Sequence, residues 1–268
     1  MSINSRQKYK ELIKQVRNWP RYFTFKFLGK GKEAVFTLKK SGANIVVPYS
    51  MLRVFKEVFM QDGYHHDFVA KHLKPATTVL DIGANIGMFS AWVANHFPER
   101  TIIAFEPLAG NIAILQKNLL PPQSSLKQVS VVDKVVTGKQ VPSVTFYFNK
   151  DKSESDSASV IAGFYDNHDG IEIPAISLTE IIDNCATQIG LLKMDCEGSE
   201  YDILYNSPAR IFSRVDTMII ETHDIDDDRN NLQGVCDFIE SIGFSYTTEH
   251  VDKGLNLVWA INNTVFPG

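Results

Sequence analysis

The hydrophobic and polar positions of the chain follow two patterns, which change near residue 74. Before this point, apolar residues between positions 9 and 16 recur at the spacing of one helical face, and short apolar runs follow them. After Pro75, strand-like apolar runs alternate with segments of helical periodicity. We therefore predict a small N-terminal extension over residues 1–74 and a larger unit over residues 75–268.

The extension is predicted to combine helices with short strands. Its first helix covers residues 5–18 and ends at Trp19-Pro20, because proline does not continue a helix. The apolar runs that follow are interpreted as small antiparallel strands, and a mostly helical stretch comes after them. The runs are Tyr22–Leu28, Ala34–Leu38 and Asn44–Val47, and the helical stretch covers residues 51–73.

In the larger unit, the alternation of strands and helices predicts an α/β fold. The predicted strands are 78–82, 101–105, 126–132, 191–194, 217–220 and 257–261; the predicted helices run from Gly87 to about His96 and over 108–120, 178–184, 200–205 and 232–242. Such alternation is typical of a mostly parallel, doubly wound sheet with helices on both faces. Right-handed crossovers bring the carboxyl ends of the strands to one edge, where ligands bind.

Two further segments of this unit differ from the alternation. Residues 144–149 are interpreted as an inserted strand, because no helix precedes them. Residues 150–158 are polar and are interpreted as a mobile loop.

Composition excludes several classes of protein. Hydrophobic residues make up 44 % and charged residues 22 %, as in ordinary globular proteins. The three cysteines, Cys185, Cys196 and Cys236, are too widely spaced for a disulfide framework or a zinc site. Residues 1–6 lack the apolar core of a signal peptide, and no run approaches the roughly 18 apolar residues that span a bilayer. We expect a soluble, cytoplasmic protein without a transmembrane segment.

The net charge of −4 is distributed unevenly along the chain. Residues 1–40 carry eleven Lys and Arg but only Glu11 and Glu33 as acids, so this segment is +9 and the remainder is −13. A basic segment on an acidic body can dock on an anionic partner or membrane surface, or its charges can be solvated or pair with the body. Both interpretations stay open, and we expect no nucleic-acid partner.

The segment Val79–Ser90 contains the first candidate ligand site. A buried strand ends in Asp81 and turns through Gly83 and Gly87 into a helix. Glycines let the backbone approach a ligand closely, and a helix N-terminus offers free N–H groups. A dinucleotide-binding turn would have glycine where Asn85 stands, so a nucleoside with a carboxylate, such as S-adenosylmethionine, suits this turn better. The alternative is the tight turn of any α/β protein.

The second candidate is Glu106, in Ala104–Pro107 at the end of the next strand. It lies 23 residues after Gly83, about where an acid would bind both hydroxyls of a ribose, since a carboxylate has two acceptor oxygens. The alternative is a carboxylate that caps the following helix.

Charged residues at the ends of two further strands form the candidate catalytic cluster. Lys193 and Asp195 share one face of a strand, Glu197 follows in the turn, and Glu221 and His223 leave the neighbouring strand at the same edge. Such a cluster could orient an acceptor hydroxyl, remove its proton or hold a divalent cation. Lys193 could instead serve only as an ion-pair partner, and His223 could be a loop residue without a role.

His223 is the preferred base of this cluster, because an unperturbed histidine is partly neutral near pH 7. Asp195 and Glu221 would then orient it. A divalent metal held by Asp195, Glu221 and His223 is the less favoured alternative, and we do not expect a metal cofactor.

In this order and spacing, these segments resemble the FkbM-type methyltransferase family. The resemblance rests on Val79–Ser90, Ala104–Pro107 and Glu221-Thr-His223, and above all on the Lys-x-Asp-x-Glu-Gly-x-Glu motif within Leu192–Glu200. Residues 58–64 also resemble the family's usual approach to its first strand.

The resemblance implies the class I methyltransferase fold, which is Rossmann-like, with S-adenosylmethionine as the methyl donor. It usually also implies O-methylation of a hydroxyl on a sugar, glycan, polyketide or similar small molecule. The donor would be bound by Asp81, Gly83, Asn85, Gly87 and Glu106. Asp133 stands where the family often has an asparagine near the adenine. The resemblance covers roughly residues 60–225 and says little about residues 1–50.

Two other functions stay open from the sequence. An NAD-dependent oxidoreductase would use a similar fold, although Asn85 and the lack of a Tyr-x-x-x-Lys pair after the fourth strand count against it. A binding protein without chemistry would not need Glu106 and the acidic cluster. The acceptor would be selected by the extension, by residues 150–170 and by the acid-rich loop after His223. Neither the acceptor nor the oligomeric state follows from the sequence.

S-adenosylmethionine and its demethylated product should both raise the melting temperature of this protein, because they bind the folded chain and not the unfolded one. NAD should leave the melting temperature unchanged. Differential scanning calorimetry at high protein concentration checks both expectations. Stabilisation by NAD, together with no effect of either sulfur nucleoside, would contradict the predicted function.

Overall fold

The computed structural model describes residues 5–121, 126, 128–148 and 169–267. The predicted mobile loop at residues 150–158 lies outside the described residues. Within the described part, no helix has the length and apolar character needed to cross a membrane.

The N-terminal part of the chain consists of short helices and one small hairpin. Its elements are α1 (Ser5–Gln15), α2 (Pro20–Leu28), β1 (Glu33–Thr37), β2 (Asn44–Pro48), a 3₁₀ turn (Tyr49–Met51), α3 (Leu52–Met60) and α4 (His66–His72). Strands β1 and β2 pair antiparallel.

The rest of the described chain builds a large sheet, a small sheet and the helices that cover them. The elements are β3 (Thr78–Ile82), α5 (Met88–His96), β4 (Thr101–Phe105), α6 (Ala109–Leu119), β5 (Val129–Val132), β6 (Val135–Thr137), β7 (Ser143–Phe148), β8 (Asp169–Ser177), α7 (Leu178–Asn184), β9 (Ile189–Met194), α8 (Glu200–Asn206), a 3₁₀ turn (Ala209–Arg214), β10 (Thr217–His223), α9 (Leu232–Ser241), β11 (Phe244–Asp252) and β12 (Leu255–Asn262).

Within the described residues, the large sheet has seven strands in the order β11-β12-β10-β9-β3-β4-β5. The strands from β10 to β5 are parallel, and β12 is antiparallel to both of its neighbours. The chain moves from β3 towards β5 and then returns to β9 on the other side of β3. Ligands of parallel α/β sheets bind at such a reversal of strand order, beyond the carboxyl ends of the strands.

Alternate residues of the central strands pack into two hydrophobic clusters, one on each face of the sheet. Val79 and Leu191 belong to the cluster formed with α5, α6 and the N-terminal elements, whereas Leu80 and Leu192 pack with α7, α8 and α9. Strands β3 and β9 are buried along their whole length, as expected for central strands covered on both faces. The predicted α/β fold with a mostly parallel, doubly wound sheet is confirmed.

The N-terminal elements pack through a row of aromatic rings on α3 and β1. Phe55 is fully buried, with its ring centroid 4.4 Å from that of Phe36 and 5.2 Å from that of Phe59. These residues share one hydrophobic cluster with Val79 of β3. The division of the chain at residue 74 stays a prediction, and the shared cluster leads us to expect that both parts unfold together.

One predicted strand of the extension is wrong. Residues 22–28 lie in the helix α2, which begins with Pro20 at its first turn, a position that proline favours. Tyr22 and Phe25 are its buried residues, and their spacing of three is that of a helix face. The first helix also ends earlier than predicted, at Gln15, because Val16 pairs with Leu38 beyond β1.

The inserted strand predicted near residue 144 is present, and the structure also contains three strands that the hydrophobic pattern did not predict, namely β6, β8 and β11. The inserted strand near residue 144 is β7, and it pairs with β8 in a separate sheet of the order β6-β8-β7. Strand β11 lies at the edge of the large sheet, where only Phe244 is buried. An exposed edge strand needs few apolar residues, so β11 lacks the alternation on which the prediction depended.

Replacing Phe55 by alanine should lower the free energy of unfolding by about 3–5 kcal/mol, because it leaves a cavity between the rings of Phe36 and Phe59. The matched control is Phe27→Ala, since Phe27 is 73 % exposed and should change stability by less than about 0.5 kcal/mol. Urea unfolding followed by circular dichroism should show one transition that shifts as a whole. A separate early transition in the Phe55 variant would mean that the extension unfolds independently.

Candidate active site

The turn between β3 and α5, residues 83–87, shapes the sheet edge where the strand order reverses. Gly83, Asn85 and Gly87 have positive φ angles of 74°, 52° and 82°. A side chain on Gly83 would overlap the carbonyl oxygen of Asp195, which directly follows β9. Glycine is required at position 83 because the ends of the two central strands approach closely there.

The carboxylate of Glu106, directly after β4, links this turn to the start of α6. Its Oε2 accepts a hydrogen bond from the Asn85 N–H at 2.9 Å. Its Oε1 accepts from the Leu108 N–H at 2.9 Å and from the Asn111 side-chain amide at 3.3 Å. Burial raises the pKa of Glu106 to about 7, even though these hydrogen bonds lower it. Leu108 immediately precedes α6, so the carboxylate does contact the start of that helix while it also lines the cleft described below.

Lys193 is a buried cation between the two central strands. Its Nζ donates to the carbonyl oxygen of Gly83 at 2.9 Å and lies 3.3 Å from Asp81 Oδ1 and 3.4 Å from Asp195 Oδ2. The other oxygen of Asp81 accepts from the Ser90 hydroxyl at 2.6 Å. Burial lowers the pKa of Lys193, but the negative charges of Asp81 and Asp195 outweigh this effect and raise it well above its ordinary value. Lys193 therefore stays protonated and cannot act as a base.

His223, at the end of β10, lies among three glutamates. Its Nε2 is 3.1 Å from Glu197 Oε2 and 3.8 Å from Glu221 Oε1, and its Nδ1 is 3.8 Å from Glu200 Oε1. Burial lowers the pKa of His223, but the hydrogen bond to Glu197 and the charge of Glu200 raise it to about 9. The imidazole is then protonated near pH 7. The role of His223 as the base stays a prediction, and it requires the imidazolium to lose its proton first, because an imidazolium cannot accept one.

The last glutamate of the Lys-x-Asp-x-Glu-Gly-x-Glu motif shapes the loop between β9 and α8. The two carboxylate oxygens of Glu200 accept hydrogen bonds from the N–H groups of Cys196 and Gly198 at 2.7 and 2.8 Å. Between them, Glu197 has a left-handed φ of 54°, which is strained for a residue with a side chain. Glu200 thus stabilises the loop conformation that brings Glu197 to His223.

A cleft lies along this edge of the sheet, and its lining follows the order of the strands. At the β4 and β6 end, apolar residues surround Glu106; these are Phe105, Leu108, Val135 and Val136. At the β9 and β10 end, Lys193, Asp195, Glu197 and Glu221 line the cleft. Residues of the N-terminal part close that end; these are Arg53, Val54, Glu57, Val58 and Tyr64. We call the β4 and β6 end the apolar end and the β9 and β10 end the acidic end.

The carboxyl groups of the acidic end disfavour each other's ionisation. The pKa of Glu221 is raised well above its ordinary value by burial and by the charges of Asp195 and Glu57. Burial and the charge of Asp195 likewise raise the pKa of Glu57, which Arg53 and Lys193 lower in part. Carboxyl groups with raised pKa values are stronger bases once ionised, which suits them to proton transfer near neutral pH.

The cleft contains six of the predicted site residues, namely Gly83, Asn85, Glu106, Lys193, Asp195 and Glu221. Four others do not line it in the described part of the chain. Asp81 is fully buried beside Lys193, and His223 is buried beside Glu197. Gly87 faces Leu119 of α6, and Asp133 is exposed after β5. The functional roles assigned to all ten residues stay predictions.

Sequence reasoning missed Glu57 and Tyr64 as members of the cleft. Both come from the N-terminal part, Glu57 from α3 and Tyr64 from the loop after it. The resemblance of residues 58–64 to the family's approach to its first strand was the signal that included Tyr64. Glu57 had no signal of its own, because an acid on an amphipathic helix is ordinarily a solvated residue.

A metal site is not found among the described residues. No group of three or more His, Cys, Asp or Glu side chains there has an arrangement that could hold a metal ion. The less favoured alternative, a divalent metal held by Asp195, Glu221 and His223, stays a prediction.

Comparison with known proteins identifies similar sequences and folds. The model of the methyltransferase FkbM domain family matches residues 81–246. The chain is 26 % identical over 223 residues to the 31-O-demethyl-FK506 methyltransferase FkbM of Streptomyces tacrolimicus, a match covering 73 % of this chain and 82 % of that protein. It is 27 % identical over 205 residues to the AMB antimetabolite synthetase AmbE of Pseudomonas aeruginosa, where the match covers 64 % of this chain and only 9 % of the synthetase.

Among solved structures, the precorrin-6y C5,15-methyltransferase of Geobacter metallireducens aligns with a TM-score of 0.46 and 14 % identity, over 77 % of this chain and 92 % of that one.

Replacing Glu106 by glutamine should weaken the binding of S-adenosylmethionine about tenfold or more, because a charge-assisted hydrogen bond contributes roughly 1.5–3 kcal/mol. Binding to the wild-type protein should strengthen as the pH rises through about 7, where Glu106 ionises, and the variant should lose this dependence. Isothermal titration calorimetry across that pH range measures both. Glu172→Gln is the matched control, because Glu172 is exposed on β8. Unchanged affinity in the Glu106 variant would assign this carboxylate to the turn and the helix start alone.

Proposed function

Because the chain belongs to the methyltransferase family defined by the FkbM domain, and as such uses S-adenosylmethionine, we propose that it methylates a hydroxyl group of a small-molecule acceptor such as a sugar, glycan or polyketide. One relative supports oxygen as the acceptor atom, since its name gives an O-demethylated compound as the molecule that it methylates. The observation that carries the proposal is the set of carboxyl groups with raised pKa values at the acidic end of the cleft. An alcohol has to lose a proton when it is methylated, and these groups can take it.

The apolar end of the cleft fits the adenosine part of the donor. Gly83 and Asn85 of the turn line the cleft, so a ligand bound there meets the main chain of the turn. Glu106 offers a buried carboxylate for the ribose hydroxyls, and Phe105, Val135 and Val136 offer apolar surface for the adenine ring. When bound, S-adenosylmethionine supplies an electrophilic methyl group.

We assign the proton-accepting role to Glu221. It lines the cleft, and burial together with the charges of Asp195 and Glu57 raises its pKa, so its carboxylate is a stronger base than an exposed one. Its neighbour His223 also has a raised pKa, of about 9, so near pH 7 it already carries the proton that a base would have to accept. In this assignment His223 is a positioning residue that holds Glu197 and the end of β10.

Lys193 and Asp195 are assigned to orientation rather than proton transfer. Lys193 binds the carbonyl oxygen of Gly83 and the carboxylate of Asp195, which lie next to each other at the edge of the cleft. Asp195 is partly exposed to the cleft and can accept a hydrogen bond from the acceptor hydroxyl. Alignment of the acceptor oxygen with the donor methyl group contributes more to the rate than any single proton transfer.

The choice of acceptor atom is tested with methyl-labelled S-adenosylmethionine and three panels of acceptors, which carry hydroxyl groups, amines or activated carbons. Mass spectrometry and NMR of the products should find the label on oxygen of members of the hydroxyl panel. Label on nitrogen or carbon alone would contradict O-methylation while leaving methyl transfer intact.

With an accepted hydroxyl compound, Glu221→Gln should lower turnover by about 10²–10⁴-fold and keep the affinity for S-adenosylmethionine, because only the proton acceptor is lost. Wild-type turnover should fall as the pH falls through the raised pKa of Glu221, since a protonated carboxyl cannot act as a base.

His223→Gln should lower turnover much less than Glu221→Gln, and Glu240→Gln on the exposed face of α9 is the control for the Glu→Gln exchange. Stopped assays of methyl transfer measure these rates. A larger loss in the His223 variant would return the role of base to histidine.

A further inference from the structure

Two large apolar side chains project into solvent at the end of α2. Phe27 is 73 % exposed and Leu28 is 74 % exposed, and among the described residues no other large hydrophobic side chain is exposed to this degree. Isolated exposed apolar residues are common on protein surfaces, but two adjacent ones at nearly full exposure are a feature that needs a reason. We call residues 26–30 the α2 tip.

Basic side chains predominate around this apolar pair, and the exposed acid Glu33 shares a groove with Arg21, Leu28 and Lys32. Lys26 and Lys30 flank the pair in the chain, Arg21 lies on α2 and Lys32 on the turn after it; all four are exposed. In the described part of the chain no acidic side chain lies within ion-pair distance of these four residues. Lys26 instead extends over the ring of Phe27, with its Nζ 5.5 Å from the ring centroid.

The α2 tip is held firmly by the part of the protein behind it. Phe25 is buried against the rings of Phe36 and Tyr49, and the Tyr49 hydroxyl donates to the carbonyl oxygen of Lys26 at 3.1 Å. The Gly29 N–H donates to the carbonyl oxygen of Phe25 at 2.8 Å and ends the helix. The apolar pair is therefore presented on a fixed turn, and its exposure does not arise from a frayed helix end.

We propose that the α2 tip is a docking surface for an anionic lipid membrane. Apolar side chains that project from a basic surface match the headgroup and acyl regions of such a membrane. The lysines meet the anionic headgroups, and Phe27 and Leu28 enter the boundary of the acyl region. The rest of the chain after residue 40 has a net charge of −13, so this positive tip also sets which face of the protein turns towards the membrane. The proposal does not depend on the acceptor or on the methyl-transfer chemistry.

The test is co-sedimentation of the full chain with vesicles of phosphatidylcholine alone and of phosphatidylcholine with about one third phosphatidylglycerol. The wild-type protein should bind only the anionic vesicles, and binding should fall steeply as salt rises from about 0.05 M to about 0.5 M. The double variant Phe27→Ser with Leu28→Ser should lower the partition coefficient about tenfold or more, because the inserted apolar surface is lost. Each of Lys26→Gln and Lys30→Gln should lower it about fivefold.

The matched control removes two exposed apolar side chains elsewhere, with Ile171→Ser and Val251→Ser, which are 41 % and 46 % exposed in the wild-type protein. This control should bind vesicles as the wild type does. As a second measurement, the added tryptophan of Phe27→Trp should shift its emission to shorter wavelength on anionic vesicles, which reports entry of this side chain into the bilayer. Because all substituted side chains are exposed, each variant should keep the melting temperature of the wild type.

Several outcomes would overturn the proposal. They are no binding of the wild type to anionic vesicles at low salt, equal losses in the tip variant and the control, or no emission shift on binding. A second outcome is that the wild type does not bind vesicles but self-associates in sedimentation velocity, and the Phe27 and Leu28 double variant does not self-associate. The tip would then be a contact between two copies of the chain. Binding of RNA in place of vesicles would make it a nucleic-acid surface.

Discussion

The buried ammonium group of Lys193 is the interaction on which the geometry of the site depends. It lies between the carboxylates of Asp81 and Asp195 and also binds the carbonyl oxygen of Gly83, so one cation joins the ends of both central strands. A charge in such a position is stable only while its partners remain, and removal of one partner of a buried pair typically costs about 3–5 kcal/mol. The close approach of Gly83 to Asp195 adds a steric constraint at the same point. Together these contacts fix where the cleft begins and which atoms line its floor.

The acidic end of the cleft depends on this cation and on His223 for its charge balance. Burial, and after it the charge of Asp195, raises the pKa values of Glu57, Glu197 and Glu221. Pairing with His223 lowers the pKa of Glu197 only in part. The same sheet edge thus holds carboxyl groups with raised pKa values beside two cationic partners, Lys193 and His223.

How far the sequence predicted this arrangement depended on whether each feature is local. Strand β3, the glycine turn and β9 were predicted because continuous apolar runs and positive-φ positions leave a direct trace in the chain. The helix α2 was misread, because its aromatic residues resemble a strand and only the packing of Tyr22 and Phe25 against the rest decides the matter. The protonation of His223 could not be read from the sequence, since Glu197 reaches it from another strand through a strained loop. Glu57 was missed because tertiary packing, which the sequence does not show, decides which face of α3 meets the cleft.

The hydrogen bonds of Glu106 have a consequence for the energetics of ligand exchange. Its carboxylate already holds the Asn85 and Leu108 N–H groups, so the turn that meets a ligand is ordered before any ligand arrives. Binding then requires little loss of backbone entropy, and its heat-capacity change should reflect buried apolar surface and not the folding of a loop. In the proposed binding mode, the adenosine part that the donor and its demethylated product share meets this turn, so the turn would not distinguish them. In that binding mode, accumulated product would compete with the donor for the same turn and lower turnover at a fixed concentration of donor.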